Sequence, residues 1–319
     1  MKLWRLLCMM PFVLGTWLSP AGAASPADAY PERPIVVVVP WPAGGFTDRL
    51  GRMVAEKLSA GLGVPVVVDN RPGASAGIGS EYVMRAAPDG YTLLVTSTDG
   101  TVKLLQGKGT DPVGQFTQLC MLASQPVTLS VGPKFKGASL AQFVEAAKAA
   151  PGEIAYASNG EGGATHYGME IFARQAGIRL NHVPYKGTTP ALNDLVGGQV
   201  EATLVSVQGV GAFLENGRAR ALAITSAKRA ASVPNVPTFA ESGYPGFDLT
   251  LWYGMVAPKG LPEPIVRKLS RALQAAVAAP DVQQQLRSAA AEPLGGSPED
   301  MLAFVQKEAA RWNTMIRRD

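Results

Sequence analysis

Two stretches of the sequence carry residue types and spacings able to do chemistry. The first is Pro40-Trp41-Pro42-Ala43-Gly44-Gly45-Phe46-Thr47-Asp48. It follows the apolar, β-branched run Ile35-Val36-Val37-Val38-Val39 and precedes a helical stripe of Leu50, Met53, Val54 and Leu58. Such a run reads as a strand buried on both faces, so the stretch is a strand-to-helix turn. Two prolines stiffen it, and two glycines leave backbone N–H groups bare. Thr47 suits the N-cap, which opens the helix N-terminus into the loop. Unpaired N–H groups and the positive end of the helix dipole attract an anion, here a ligand carboxylate. The competing reading is a Gly-rich turn without a ligand, because short glycine motifs match by chance. Asp48, one residue into the helix, either caps N–H groups or accepts from a ligand amide or hydroxyl.

The second stretch, Ser158-Asn159-Gly160-Glu161-Gly162-Gly163-Ala164-Thr165-His166, is a physical twin of the first. It too runs from a strand into a helix, with bare N–H groups and hydroxyls beside the helix start. Two such loops suggest two jaws on one ligand, drawn from Ser158, Asn159, Gly162, Gly163, Ala164 and Thr165 on this side. Glu161 reads as a solvated rim charge. Ser97, Thr98, Tyr185 and Ser206 are further site candidates, with structural roles as the alternative for Ser97, Tyr185 and Ser206.

Other chemistry is weighed against the residues it needs. Gly73-Ala74-Ser75-Ala76-Gly77 matches the Gly-x-Ser-x-Gly pattern of a hydrolase nucleophile elbow. The elbow needs its serine directly after a strand, whereas Asn70-Arg71-Pro72 intervenes, and only His166 and His182 lie downstream as bases. A secreted esterase using Ser75 is therefore the weaker alternative, and no catalytic residue is expected. Two histidines separated by a helix, with a single cysteine outside the first two dozen residues, show no metal-ligand spacing, and no metal or cofactor is expected.

The elements that position these loops alternate. Strands are expected at 35–39, 64–69 and 91–97, with helices between them, the second presenting Ile78, Tyr82, Val83 and Ala86. This βαβαβ order means a parallel sheet with helices on its faces, whose ligands lie beyond the C-terminal strand ends. Residues 99–115 read as looser and 119–131 as extended. The pattern then repeats: Ser139 caps a helix bearing Leu140, Phe143, Val144 and Ala147, and strands follow at 154–158, 178–183, 200–206 and 221–225. Thr189-Pro190 reads as cap and first position of another helix. Residues 226–246 read as an ordered loop, and 249–257 as a strand returning to the first unit. The rest reads as helical, with Ile265, Leu269 and Leu273 packing one helix. Ser297-Pro298-Glu299-Asp300 opens the last helix, with Leu302, Val305 and Trp312 for packing.

Of the 319 residues, 47% are hydrophobic and 17% charged, as in a globular chain with a large core. Lys2, Arg5, the apolar segment 6–18 and Ala21-Gly22-Ala23 form an export signal, 1–24, cleaved near Ala23 or Ala24. Cys8 leaves with it, so Cys120 is the one mature cysteine and reads as a buried small hydrophobe. The charge is nearly balanced, and no basic run suggests nucleic acid.

Several motifs carry a family resemblance: Tyr30-Pro31 with Arg33-Pro34-Ile35, Pro40 to Gly45 with Asp48, and Asp69-Asn70-Arg71-Pro72-Gly73-Ala74. Pro88-Asp89-Gly90-Tyr91-Thr92, Val183-Pro184-Tyr185-Lys186-Gly187 and Pro234-Asn235-Val236-Pro237-Thr238 with Glu241 and Gly243 complete it. The chain resembles the Bug-type receptors of tripartite tricarboxylate transporters through nearly all of its length. The resemblance implies an α/β, two-lobed periplasmic binding protein of the type II-like, Venus-flytrap kind, each lobe a mixed, mainly parallel sheet flanked by helices. The expected lobes are 25–124 with 248–319, and 125–247. It implies a small carboxylate ligand (a di- or tricarboxylate, acidic amino acid or aromatic acid), held by the loops Trp41 to Asp48 and Ser158 to Thr165, and membrane permease subunits as partners. A receptor that presents its ligand to a membrane sensor is the alternative. A monomer is expected. Trp41, Phe46, Gly163 and the segment 98–115 depart from the family pattern. Trp41 and Phe46 either favour a flat or apolar ligand body or serve packing.

Overall fold

A computed structural model describes residues 29–106, 111 and 113–316. The expected export signal, 1–24, lies outside the described residues. The chain begins with β1 (Ile35–Val39), α1 (Phe46–Leu62), β2 (Val66–Asn70), α2 (Gly77–Met84), β3 (Thr92–Ser97) and α3 (Thr98–Leu105). Parallel β2 and β3 flank β1, whose Ile35, Val37, Val38 and Val39 are fully buried. That burial on both faces is why the strand lacks polar alternation.

The long β4 (Phe116–Val131) ties the molecule together. After it come α4 (Leu140–Ala149), β5 (Ala155–Ser158), α5 (Ala164–Ala176), β6 (Asn181–Pro184), α6 (Thr188–Val196), β7 (Ala202–Ser206), α7 (Val207–Glu215) and β8 (Arg220–Ile224). Then follow β9 (Thr250–Pro258), α8 (Glu263–Ala278), α9 (Pro280–Ser288), β10 (Glu292–Gly295) and α10 (Pro298–Ile316). The strand order is β2-β1-β3-β9-β4-β7-β5-β6, with β8 and β10 also on β4. Phe116 to Pro126 of β4 pair antiparallel with β9, whereas Val127 to Val131 pair with β7 and β8. One strand thus serves two sheet regions, and the change of partner falls between Pro126 and Val127. The fold is a mixed α/β sheet flanked by helices.

Local chemistry explains most boundaries. Ser139 accepts the Gln142 N–H and caps α4, whose Leu140, Phe143, Val144 and Ala147 are buried. Ser297 and Asp300 exchange hydrogen bonds at the start of α10, a reciprocal cap. Phe172 of α5 meets Phe239, Tyr244 and Phe247, so the loop after β8 is held by an aromatic cluster.

Five expectations need correction. Residues 99–115 are not all loose, since α3 occupies Thr98–Leu105; its buried face of Thr98, Thr101 and Val102 is too polar to announce a helix. The face of α2 is turned: Ile78 and Tyr82 are 54% and 41% exposed, and Ala86 lies past the helix end. The face it buries is Gly77, Gly79, Ser80 and Val83, because a Cβ on Gly79 would come within 2.7 Å of Pro40. Tyr82 instead lies under the Arg71 guanidinium, 3.7 Å from its ring centroid. The N-caps of α1 and α6 are Gly45 and Gly187 rather than Thr47 and Thr189, since both helices start earlier. Leu302 faces outward, 38% exposed. Helix α7 was not read from the sequence, and the helical reading of the chain after 257 fits α8, α9 and α10 but not strand β10 at Glu292–Gly295, which pairs with β4.

Candidate functional site

The turn after β1 is held by an acid. Asp48 Oδ2 accepts the Gly44 N–H at 2.9 Å, and Arg52 and Asn70 donate to the same carboxylate at 3.1 and 2.9 Å. Asn70 also donates to the Trp41 carbonyl at 3.0 Å. Burial would raise the Asp48 carboxyl, but the hydrogen bonds from Arg52, Gly44 and Asn70 hold it below the usual carboxylate range. Of the two roles open to Asp48, the structure displays the capping one. With that turn fixed, the N–H groups of Phe46, Thr47 and Asp48 point out of the first turn of α1 and meet no acceptor among the described residues.

Of these residues, Phe46 and Thr47 line a cavity of about 310 Å³. Trp41, Pro42, Gly44, Gly45, Phe46, Thr47 and Arg49 form one wall, and Asp99, Leu251 and Tyr253 the floor. The opposite wall is Asn159, the α6 start at Thr188 and Thr189, Ser206, Gln208 and Gly209 around the start of α7, and Phe213 near its end. The Phe46 and Tyr253 rings pack at 4.9 Å, and the Tyr253 hydroxyl accepts from Gln125 at 2.9 Å. Ser206 accepts the Gly209 N–H, and Thr188 donates to Asn159 Oδ1. Arg49 is the one basic side chain among the described lining residues, and Asp99 the one acidic.

The second glycine loop is filled by the chain itself. Asp99 Oδ1 accepts the Ala164 N–H at 2.8 Å, and the Thr165 N–H joins that carboxylate. Ser75 donates to the Glu161 carbonyl at 3.0 Å, and Gln106 donates to the Gly162 carbonyl. A Cβ on Gly160 would come within 2.5 Å of Ser75 Oγ, and one on Gly163 within 2.7 Å of Asp99 Oδ1. The glycines here admit side chains arriving from α3 and the segment before α2. Burial, outweighing the Ala164 and Thr165 N–H groups, pushes the Asp99 carboxyl up to about 6.

Of the residues singled out from sequence, Trp41, Gly44, Gly45, Phe46, Thr47, Asn159 and Ser206 line the cavity together. Ala43 is exposed on the turn, and Asp48 lies behind it. Thr98 is fully buried and accepts the Trp252 N–H, while Ser97 is buried at the α3 start. Ser158 Oγ contacts His182 Nε2 at 2.6 Å, Thr165 accepts the Asn159 N–H, and Gly162 donates to His166 Nδ1. Gly163 and Ala164 are buried at the α5 start. Tyr185 donates to Asp194 at 2.6 Å and borders an adjacent recess. Asp99, Arg49 and Tyr253 went unread, and at the α7 start only its cap Ser206 was singled out, not Gln208 or Gly209. Asp99 had a signal: it follows Ser97-Thr98 at a strand's C-terminal end.

Ser75 has no base. Its hydroxyl proton goes to a carbonyl, and His166 and His182 stack on each other instead, centroids 3.9 Å apart. Burial lowers both, His182 to about 4 with help from the neighbouring His166, so both rings are neutral at pH 7. Residues 73–76 have positive φ, a run of left-handed turns that delivers Ser75 to Glu161. Among the described residues no group of three His, Cys, Asp or Glu is placed for a metal, and no helix is long and apolar enough to cross a membrane. A groove of about 710 Å³ between α1 and α8, lined by Lys57, Arg267 and Arg271, is larger but more open, and the α8 start meets it through Pro264, which has no N–H to donate.

Residues 50–319 match the family model described as tripartite tricarboxylate transporter family receptor. The chain belongs to that receptor family. Among curated relatives, Protein BugT of Bordetella pertussis is 37% identical over 323 residues, spanning 99% of this chain and 98% of BugT. Among solved structures, the periplasmic binding protein BugD is 36% identical at a TM-score of 0.85, with 91% and 98% covered. An R. palustris protein solved with adipate is 36% identical, TM-score 0.84, with 90% and 97% covered. MatC from Rhodopseudomonas palustris, with bound malate, is 31% identical, TM-score 0.85, with 90% and 100% covered. The family is one of solute-binding receptors with the two-lobed periplasmic binding fold.

Proposed function

We propose that this family member is an extracytoplasmic receptor that closes on a small organic carboxylate and delivers it to the permease of a tripartite tricarboxylate transporter. The observation that carries this is the run of unpaired N–H groups at the start of α1, whose Phe46 and Thr47 line the cavity beside Arg49. A carboxylate there receives N–H donors, the helix dipole and a guanidinium at once, without needing a buried arginine. The adipate and malate complexes of the relatives support the ligand class. The reading takes 1–24 as an export signal cleaved near Ala23 or Ala24, placing a monomeric receptor in the periplasm. It takes 25–124 with 248–319 as one lobe and 125–247 as the other. The partner change of β4 beside Pro126 supports that division.

A thermal-shift panel on the exported protein tests this. Citrate, C4 to C6 diacids, acidic amino acids, nicotinate and benzoates are compared with their methyl esters and with neutral sugars and amides. A ligand at a hundredfold over its Kd stabilises by about 2.7 kcal/mol, roughly 4–5 °C at this size. Shifts with acids that vanish on esterification are expected. Shifts only with sugars or neutral amides contradict the reading.

A further inference from the structure

The two glycine loops look alike in sequence but are not equally available. The α1 start is unoccupied by protein, whereas the α5 start already holds a carboxylate, that of Asp99. We infer that Asp99 is a built-in specificity residue: it occupies the second anion position, so the cavity admits a single ligand carboxylate and faces the ligand's other end with a hydrogen-bond acceptor. The inference rests on the receptor reading above and names its ligand class, a monocarboxylate whose far end donates N–H groups.

Three observations support it. Asp99 lines the same cavity as Arg49 and the α1 start, and it is only 5% exposed, so little water screens it. Its reach is built in, because Gly163 leaves the space that any Cβ would take from Asp99 Oδ1. The floor beside it is the buried phenol of Tyr253, which supplies no countercharge. A ligand carboxylate at the α5 end would therefore meet a like charge in a low-dielectric site, and its N–H donors are already used. An ammonium or amide at that end meets an acceptor whose burial makes it favour a donor. The cavity is thus polarised, cationic at α1 and anionic at α3.

Matched six-carbon probes test this by calorimetry at pH 7.5: adipate, its monoamide and 6-aminohexanoate. The wild-type protein is expected to bind 6-aminohexanoate and the monoamide at least about tenfold tighter than adipate. Asp99→Asn, which keeps an acceptor for Ala164 but loses the charge, should bring adipate within about twofold of the monoamide and weaken 6-aminohexanoate about tenfold. A melting curve of the variant establishes that it is folded. Adipate binding as tightly as the monoamide in the wild type, or an unchanged ratio in Asp99→Asn, overturns the assignment of Asp99 and leaves the receptor reading intact. Binding of none of these, together with no response across the wider carboxylate panel, overturns the receptor reading and this one with it.

Discussion

Replacing Asp99 by Asn should stabilise the ligand-free protein at neutral pH and leave it unchanged in acid. The Asp99 carboxyl titrates at about 6 instead of 3.8, because burial outweighs the N–H groups of Ala164 and Thr165. The folded state therefore holds this proton more tightly than the unfolded chain. The corresponding stability is complete below pH 3.8 and is lost as the pH rises through about 6. A shift of that size corresponds to roughly 3 kcal/mol at pH 7.5, and the group is buried, so solvent screening does not reduce it. Asn presents an acceptor of the same shape without the charge, and it removes that penalty. At this chain length about 3 kcal/mol is a rise of roughly 5 °C in Tm. Thermal unfolding of dialysed wild-type and Asp99→Asn protein at pH 4 and pH 7.5 measures it. The expected difference is about 5 °C at pH 7.5 and under about 1 °C at pH 4. A wild type more stable than the variant at pH 7.5 would mean that the α5 start outweighs burial, and the reasoning would fail.

Other outcomes follow from neighbouring groups. Burial lowers the His182 pKa to about 4, so its contribution is complete above pH 6.5 and is lost as pH falls through about 4; His182→Gln should flatten that acid limb in a pH series of melting curves. Gly163→Ala puts a Cβ 2.7 Å from Asp99 Oδ1 and should weaken ligand binding by calorimetry, with part of the loss recovered in the double variant with Asp99→Gly. Phe172→Ala empties the centre of the aromatic cluster with Phe239, Tyr244 and Phe247 and should cost about 3–5 kcal/mol in denaturant unfolding. Ser75→Ala should leave hydrolysis of a chromogenic ester at the buffer rate, the same as wild type, because Ser75 has no base.

Where apolar spacing was strong, the sequence spoke clearly. Ile35 to Val39, the α4 face and the Ser297 cap are local patterns whose outcome does not depend on distant residues. Legibility failed where tertiary contacts decide. Helix α3 carries threonines and glycine on its buried face, so no hydrophobic stripe marks it. The α2 face is set by the approach of Gly79 to Pro40, a contact far apart in sequence. At the site, the α1 loop was legible because its strand, glycines and helix are contiguous. The α5 loop has the same local pattern, yet Asp99, Ser75 and Gln106 come from elsewhere to use its polar groups and space. Glycines in a loop announce that something approaches the backbone; they do not say whether it is a ligand or another part of the chain.

The most direct test of the account is a crystal structure of the exported protein with the tightest carboxylate from the panel. The account predicts one ligand carboxylate within hydrogen-bond distance of the N–H groups at the α1 start, at Phe46 and Thr47, inside the cavity bounded by Asn159 and Ser206. A ligand carboxylate bound elsewhere, for instance in the basic groove between α1 and α8, with those N–H groups facing water, would contradict it.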